Sequence, residues 1–296
     1  MNFDHLKLFR DVAQERSISK GAVMNAVSQS AASQHLQELE RVLEVKLVDR
    51  SRRPLALTEA GQLYYDFCRE VLRTKNQFDV SLEQFKGRVE GTVKVASIYS
   101  VGLVEMSRLE AEFAARFPGA ELWVDYLRPE KVYEAITSEK ADLGLVSYPE
   151  PSKEIQVIPW REEKMVVAVA PGHRLAQHEV LHAKDLEGEN FVGFDEDLPI
   201  SRDVRRYLRE FGVYVDVVMR FDNIQMMKEA VALGSGISIL PERILKADIE
   251  QGRVKAIAIE DPSLSRPLGI LHLKKKRFSR ATQSFLNLLT EELVEA

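Results

Sequence analysis

SISKGAVMNAVSQSAASQHLQELERVLEVKLVDRSRRPLALT, residues Ser17–Thr58, places two short hydrophobic periods and a cationic tip in succession. Ile18, Ala22 and Val23 recur at helical spacing, and Val27 closes that helix ahead of a Ser28-Gln29-Ser30 corner. A second helix begins at the corner. Ala32, Leu36, Leu39 and Leu43 give it an inward stripe, while Gln29, Ser30, Ser33, Gln34 and Gln37 fall on the outer face. That face is polar but almost uncharged, unlike the Glu- and Lys-rich surface of an ordinary solvated helix. Amides and hydroxyls at the front of a helix suit hydrogen bonding to base edges in a DNA major groove. Downstream, Val45–Val48 and Leu55–Leu57 flank Arg50-Ser51-Arg52-Arg53-Pro54, a cationic hairpin tip that reads as a wing. Arg50, Arg52 and Arg53 can neutralise phosphates or enter a minor groove without specifying sequence themselves. A packing module of three helices with idle surface Ser and Gln is the competing reading, and the wing argues against it.

Phe3, Leu6, Leu8, Phe9 and Val12 predict a first helix that packs across these two. Beyond the wing, Thr58 is a candidate N-cap and Glu59 adds negative charge to a first turn. From there to Lys86 no proline interrupts, which predicts a helix of about 40 Å at 1.5 Å per residue. Leu63, Phe67, Val71, Phe78, Leu82 and Phe85 form a stripe along it, with Tyr64, Leu72 and Val80 beside them. A helix that long cannot bury such a stripe on a small domain, so pairing with the same helix of a second chain is expected. An ordinary core helix of the following domain is the alternative.

Gly87–Gly91 breaks the helix and opens a different texture. Short apolar runs alternate with helical patterns: VKVAS, VEMSRLEAEFAARFPG, AELWVDY, PEKVYEAITSEK and ADLGLVS predict an α/β lobe with mostly parallel strands. A second series runs from MVVAVAPGH through ENFVGF, SRDVRRYLREFG, VYVDVVM, NIQMMKEAVALG and SGISILP to GRVKAIAI. LGILHLKK and the amphipathic FSRATQSFLNLLTEELV then return to the first lobe.

With 296 residues the chain exceeds one typical domain, leaving room for two lobes after the N-terminal segment. Its net charge of −5 does not advertise nucleic-acid binding, but Met1–Leu57 holds nine Lys and Arg against seven Asp and Glu, so the basic excess lies where DNA contact is predicted. One cysteine, Cys68, excludes an intrachain disulfide and a Cys-based zinc cluster. The start MNFDHLKLF has no basic region followed by an apolar run, and no segment reaches the length of a membrane span, so a cytoplasmic location is expected.

Residues Gln29, Ala31, Ser33, Leu39, Glu40, Leu47, Arg50, Leu57, Thr58, Ala60 and Gly61 stand where the winged helix-turn-helix of LysR-type transcriptional regulators expects them, and the N-terminal segment resembles that family. Ser30 replaces a frequent proline, Gln34 and His35 replace a frequent basic residue, and Val48 replaces a frequent Phe. These departures leave the fold intact but prevent transfer of a DNA sequence preference. The long helix is similar to the family's dimerising linker helix. Phe117-Pro118-Gly119, Ala141–Leu145, Pro171-Gly172-His173, Asp185-Leu186 and Gly234–Ile237 running into Leu240-Pro241 extend the resemblance over essentially the whole chain. It implies a winged domain over 1–57, a linker helix over 58–90 and a two-lobe, periplasmic-binding-protein-like effector domain over 91–296. Lobe one takes 91–160 plus 268–296 and lobe two takes 161–267.

Ligands of open α/β sheets lie at the carboxyl ends of strands. Loops at such ends, and their resemblance to the family's effector cleft, nominate Ser97, Ser100, Arg128, Ser147, Ser201, Arg202 and Asn223. Hydroxyls and the amide would hold oxygens and the arginines an oxyanion; helix capping by the serines and structural ion pairs for the arginines compete. The expected partners are double-stranded DNA, a small anionic effector and further copies of the chain in a homodimer or homotetramer, with no cofactor and no membrane. FDNIQMMKEAVALGSGISILPE is similar to branches governing sulfur assimilation or carbon fixation.

An enzyme is the alternative class, but no G-x-S-x-G elbow, phosphate-cradling glycine loop or dinucleotide fingerprint occurs. His173, His178 and His182 are the most catalytic-looking set. His178 and His182 would share a face if helical, yet no HExxH pattern surrounds them, and solvated histidines are the expectation. A constitutive regulator with a vestigial cleft is the remaining alternative.

Overall fold

Asn2 starts the first helix by accepting a hydrogen bond from the Asp4 N–H, and α1 (Phe3–Glu15) buries Leu6, Phe9 and Val12. The computed structural model describes residues 2–83, 85, 88–260 and 264–291. Two units divide between residues 87 and 88. In the first, α2 (Ile18–Met24) and α3 (Gln29–Leu43) follow α1, each capped by a serine hydroxyl, Ser17 and Ser28. Ala22, Ala32, Leu36, Leu47 and Cys68 complete the core with α1. The predicted inward stripe of α3 fails at its last position: Leu43 is 38% exposed, and the inward place at this end belongs to Glu40. α3 ends immediately afterwards with Glu44 in the left-handed region, so its last turn has nothing to cover it.

The wing is a two-strand ladder of β1 (Val48–Asp49) and β2 (Ala56–Leu57), paired Val48 to Leu57 and Asp49 to Ala56. Next comes α4 (Glu59–Glu83), 25 residues and so about 37 Å long. Tyr64, Tyr65, Val71 and Leu72 lean on the α1 core, with Phe9 edge-on to Tyr64. Its expected end near Lys86 and the break at Gly87 lie outside the described residues.

The second unit contains β3 (Gly91–Ile98), α5 (Tyr99–Arg116), β4 (Ala120–Leu127), α6 (Pro129–Thr137), β5 (Leu143–Ser147), β6 (Ile155–Val169), β7 (Val180–Leu181), β8 (Asn190–Phe194), α7 (Pro199–Glu210), β9 (Asp216–Phe221), α8 (Ile224–Ala232), β10 (Ser238–Pro241), α9 (Lys246–Glu250), β11 (Lys255–Ile259), β12 (Ser265–Leu273) and α10 (Arg280–Glu291). One sheet of order β4-β3-β5-β12-β6-β11-β7 runs through it, with β10 also on β6. β4, β3 and β5 are parallel, as βαβ units require, and β12 returns antiparallel. β8 and β9 form a separate parallel pair.

Two strands carry the chain between lobes. β6 pairs with β12 from Ile155 to Lys164, then with β10 and β11 from Met165 to Val169. Lobe one's core accordingly takes Trp160 and Leu268, and lobe two's takes Met165 and Leu264. Trp160 donates its indole N–H to the Leu289 carbonyl at 2.8 Å, pinning α10 to lobe one. The predicted continuation of α10 past Glu291 lies outside the described residues. No helix among these residues is long and apolar enough to cross a membrane.

Candidate DNA interface and effector cleft

The α2–α3 corner is braced from below. Buried Asp11 on α1 accepts from Asn25 Nδ2 at 2.8 Å, and the same amide donates to the Gly21 carbonyl at 2.9 Å. α3 therefore starts at Gln29 with its first turn presented outward. Gln29, Ser30, Gln34 and Gln37 are exposed on it and Ser33 is half-buried. Ser30 Oγ lies 2.9 Å from the capping Ser28 Oγ, so this hydroxyl already has a partner.

Glu40 ties the other end of α3 to the wing. Its Oε1 accepts from the backbone N–H groups of Leu47 at 2.9 Å and Val48 at 3.2 Å. Its Oε2 sits 3.5 Å from Arg50 Nη2 and from Lys46 Nζ. Arg52 Nε lies 3.3 Å from Asp49 Oδ2, and Arg53 precedes a cis bond to Pro54. Pairs this exposed are weak, so Arg52 can exchange its carboxylate for a phosphate at little cost. Behind the wing, Thr58 Oγ1 donates to the Lys46 carbonyl at 2.6 Å and accepts from the Gly61 N–H at 2.9 Å. A Cβ at Gly61 would lie 1.9 Å from the Leu47 carbonyl oxygen, so only glycine lets α4 start this close to the wing.

In the second unit, a cavity of about 50 Å³ lies between the lobes. First-turn residues of four helices line it: Tyr99 and Ser100 of α5, Pro129 of α6, Pro199 and Ile200 of α7, and Ile224 of α8. Ser147 closes β5 at the same place, followed by Tyr148 with a left-handed φ of 51°, an unusual conformation for a bulky residue. Burial, with Asp203 nearby, raises the Tyr148 phenol above its ordinary range. Arg128 stands at the cavity rim, and its Nη2 meets Asp197 at 2.6 Å, its Nη1 meets Asp222 at 3.2 Å and its Nε lies 3.2 Å from Glu130. Since Arg128 belongs to lobe one and both aspartates to lobe two, the guanidinium bridges the lobes. Arg266, 2% exposed, donates from Nε to Glu163 at 2.8 Å and from Nη1 to Ser100 Oγ at 3.0 Å.

Of the residues nominated from sequence, Ser100, Arg128 and Ser147 thus meet at one cavity. The other four lie outside its lining. Ser97 is buried and donates to the Ile98 carbonyl at 3.1 Å, and Ser201 is buried and donates to that of Phe194 at 3.3 Å. Asn223 caps α8 by accepting from the Gln225 N–H, and Arg202 lies exposed on α7 outside the cavity lining.

Comparison with known proteins follows the same two units. Residues 3–62 match the bacterial regulatory helix-turn-helix protein, lysR family, and residues 86–294 match the LysR substrate binding domain. The chain belongs to the LysR family. Among curated LysR-type relatives, the HTH-type transcriptional regulator CysL of Bacillus subtilis is 25% identical over 289 residues, covering 98% of this chain and 97% of that one. A full-length OxyR variant from Pseudomonas aeruginosa shares the fold at 18% identity and TM-score 0.77, covering 99% of this chain and 94% of that one. The Synechocystis CcmR regulatory domain, solved in complex with 2-PG, matches at 24% identity and TM-score 0.63, covering 69% of this chain and 97% of that domain.

LysR-type proteins are DNA-binding regulators, and this chain is one rather than an enzyme. Its histidines take ordinary roles: His173 Nε2 faces Glu189 and His182 Nε2 faces Glu260, both at 3.3 Å, and His178 and His182 flank a strand rather than sharing a helical face. Among the described residues no group of three or more His, Cys, Asp or Glu is placed to hold a metal ion. Cys68 is fully buried, and burial pushes its thiol up to about 12, far from the thiolate a redox sensor needs. Sequence reasoning missed Arg266, Glu163, Asp197 and Asp222 as cleft residues. Both aspartates stood in the loops that nominated Arg202 and Asn223, and the charge opposite to Arg128 was the available signal.

Proposed function

We propose that this LysR-type regulator reads double-stranded DNA through Gln29, Ser33, Gln34 and Gln37, assisted by Ser30, with Arg50, Arg52 and Arg53 on phosphates. It works as a homodimer paired through α4, or as a homotetramer built from two such dimers, in the cytoplasm. A small anionic metabolite bound between the lobes controls it by favouring one lobe arrangement over another. The observation that carries the effector reading is the convergence of four helix N-termini with Arg128 on one cavity, because unpaired N–H groups and a guanidinium favour negative charge. Ser100 and Ser147 supply hydroxyls there, and the complex of the CcmR domain with 2-PG lends support from the same fold. At about 50 Å³ the cavity is well below the roughly 300 Å³ of a small-molecule site, so entry requires the lobes to part.

Calorimetry against a panel of small carboxylates, amino acids among them, and phosphates tests this with the full chain. Wild type should bind at least one of them, and Arg128→Ala and Ser100→Leu should each weaken that binding about tenfold or more, the equivalent of 1.4 kcal/mol. A neutral metabolite bound equally by all three proteins would refute the anion site, and absence of binding by wild type would favour constitutive regulation.

A further inference from the structure

We propose that the effector is a zwitterion, a small molecule carrying an oxyanion for Arg128 and an ammonium for Asp197 and Asp222. The inference rests on the effector reading above and names the ligand class that the cleft selects.

Charge balance at the cleft rim carries the argument. One guanidinium faces three carboxylates: Asp197 at 2.6 Å, Asp222 at 3.2 Å and Glu130 at 3.2 Å. The other cation at the cavity, Arg266, is committed to buried Glu163 and adds no net charge. Around Arg128 the carboxylates therefore outnumber the guanidinium three to one. A plain anion that took Arg128 from the aspartates would sit among three carboxylates around a single cation, and like charges so close repel. A plain cation would face Arg128 and the positive ends of four helices. Only a ligand with both signs of charge satisfies both sets.

Geometry sorts those sets by lobe. Arg128 opens α6 on lobe one, whereas Asp197 and Asp222 precede α7 and α8 on lobe two. A zwitterion inserted between them replaces one ion-pair bridge by two, with its oxyanion on Arg128 and its ammonium on the aspartates. The lobes are thereby held apart at a spacing set by the ligand instead of being drawn onto one another.

A second feature points to a ligand. Ser147, 8% exposed and lining the cavity, makes no side-chain hydrogen bond among the described residues. A hydroxyl in that condition on a cavity wall can bond an oxygen or N–H of a ligand that enters. The remaining wall is apolar, with Ile98, Leu127, Phe194, Leu198 and Ile224, so the body between the charged groups should be hydrocarbon.

The test uses full-length protein and three matched series in thermal shift and calorimetry: the proteinogenic amino acids together with β-alanine and γ-aminobutyrate, the carboxylic acids lacking the amine, and the amines lacking the carboxylate. At least one zwitterion should bind, and its deaminated and decarboxylated counterparts should each bind about tenfold more weakly or worse. In Asp197→Asn/Asp222→Asn, whose cooperative melt confirms folding, the preference should reverse, with the zwitterion losing affinity and the plain carboxylate gaining it. A purely structural role for the aspartates would lower the melting temperature without altering that preference. A plain carboxylate binding wild type as tightly as its amino acid overturns the zwitterion and leaves the anionic effector standing. Failure of all three series to bind counts against both.

Discussion

Glu40 is a residue whose family position was visible in the sequence while its physical reason was not. A carboxylate between Leu39 and Arg41 on a helix reads as solvated, yet here it is 4% exposed and accepts from two wing amides. Its removal leaves buried N–H groups without an acceptor. Glu40→Ala should therefore cost about 2–4 kcal/mol, and Glu40→Gln, which keeps one acceptor oxygen, less; urea unfolding of the two variants measures this. The pair His5 and His35, with ring centroids 3.6 Å apart, gives a pH effect in the same unit. Burial, followed by the charge of His5, lowers the His35 pKa below its ordinary 6.5. A base whose pKa is depressed on folding binds protons more readily when unfolded, so its contribution is intact above 6.5 and is lost as pH falls towards the depressed value. Thermal melts of the first unit's signal should shift downward between pH 7 and about pH 5, and His35→Gln should reduce that shift; an equal shift in the variant would assign it to other groups. At the cleft, Ser100, Arg128 and Ser147 were legible as strand-end and helix-start residues. Asp197 and Asp222 were not selected, because which carboxylate meets which cation depends on how two lobes far apart in sequence fold together.

Periodicity served well for the elements that have one solvated face. α3 and α4 follow from stripes at 3.6-residue spacing, and the βαβ alternation of lobe one from short apolar runs. β6 shows where that signal fails. Its first two-thirds, Ile155–Lys164, contains Pro159 and the charged run Arg161–Lys164 and carries no strand signal, whereas the apolar remainder does. Pro159 is tolerated opposite Gly269, next to the register shift between Leu268 and Gly269. Buried Glu163 hides in the same run because its partner Arg266 lies on β12, out of reach of any local pattern. On α4 the sequence stripe separates into two sets: Val71 joins the core, whereas Leu63, Phe67, Phe78 and Leu82 remain exposed, Leu63 at 70% and Phe78 at 61%. Under the dimer proposal these are the residues that a second chain covers. Phe78→Asp and Leu82→Asp should yield monomers in sedimentation at low micromolar concentration, since each would bury two like charges around a twofold axis. Dimers of undiminished stability in both variants would place the interface elsewhere.

The molecule as a whole joins a sequence-reading unit to a ligand-sensing one, and dimeric DNA reading is the part of the proposed function on which the rest depends. Under the proposed function, two copies related by a twofold axis would read DNA as two related half-sites, with uncharged Gln and Ser side chains on α3 reading bases and the wing arginines supplying the salt-dependent part. The most direct measurement is selection of bound duplexes from a random pool by the full-length chain, run in parallel with Gln29→Ala and Arg52→Ala. Dimeric DNA reading predicts an enriched inverted repeat with half-site centres separated by about one helical turn or a multiple of it. Gln29→Ala should lose preference at particular positions within each half-site, whereas Arg52→Ala should keep the same motif with weaker binding and a shallower salt dependence. Enrichment of no motif, or of a single half-site left unchanged by Gln29→Ala, would contradict it.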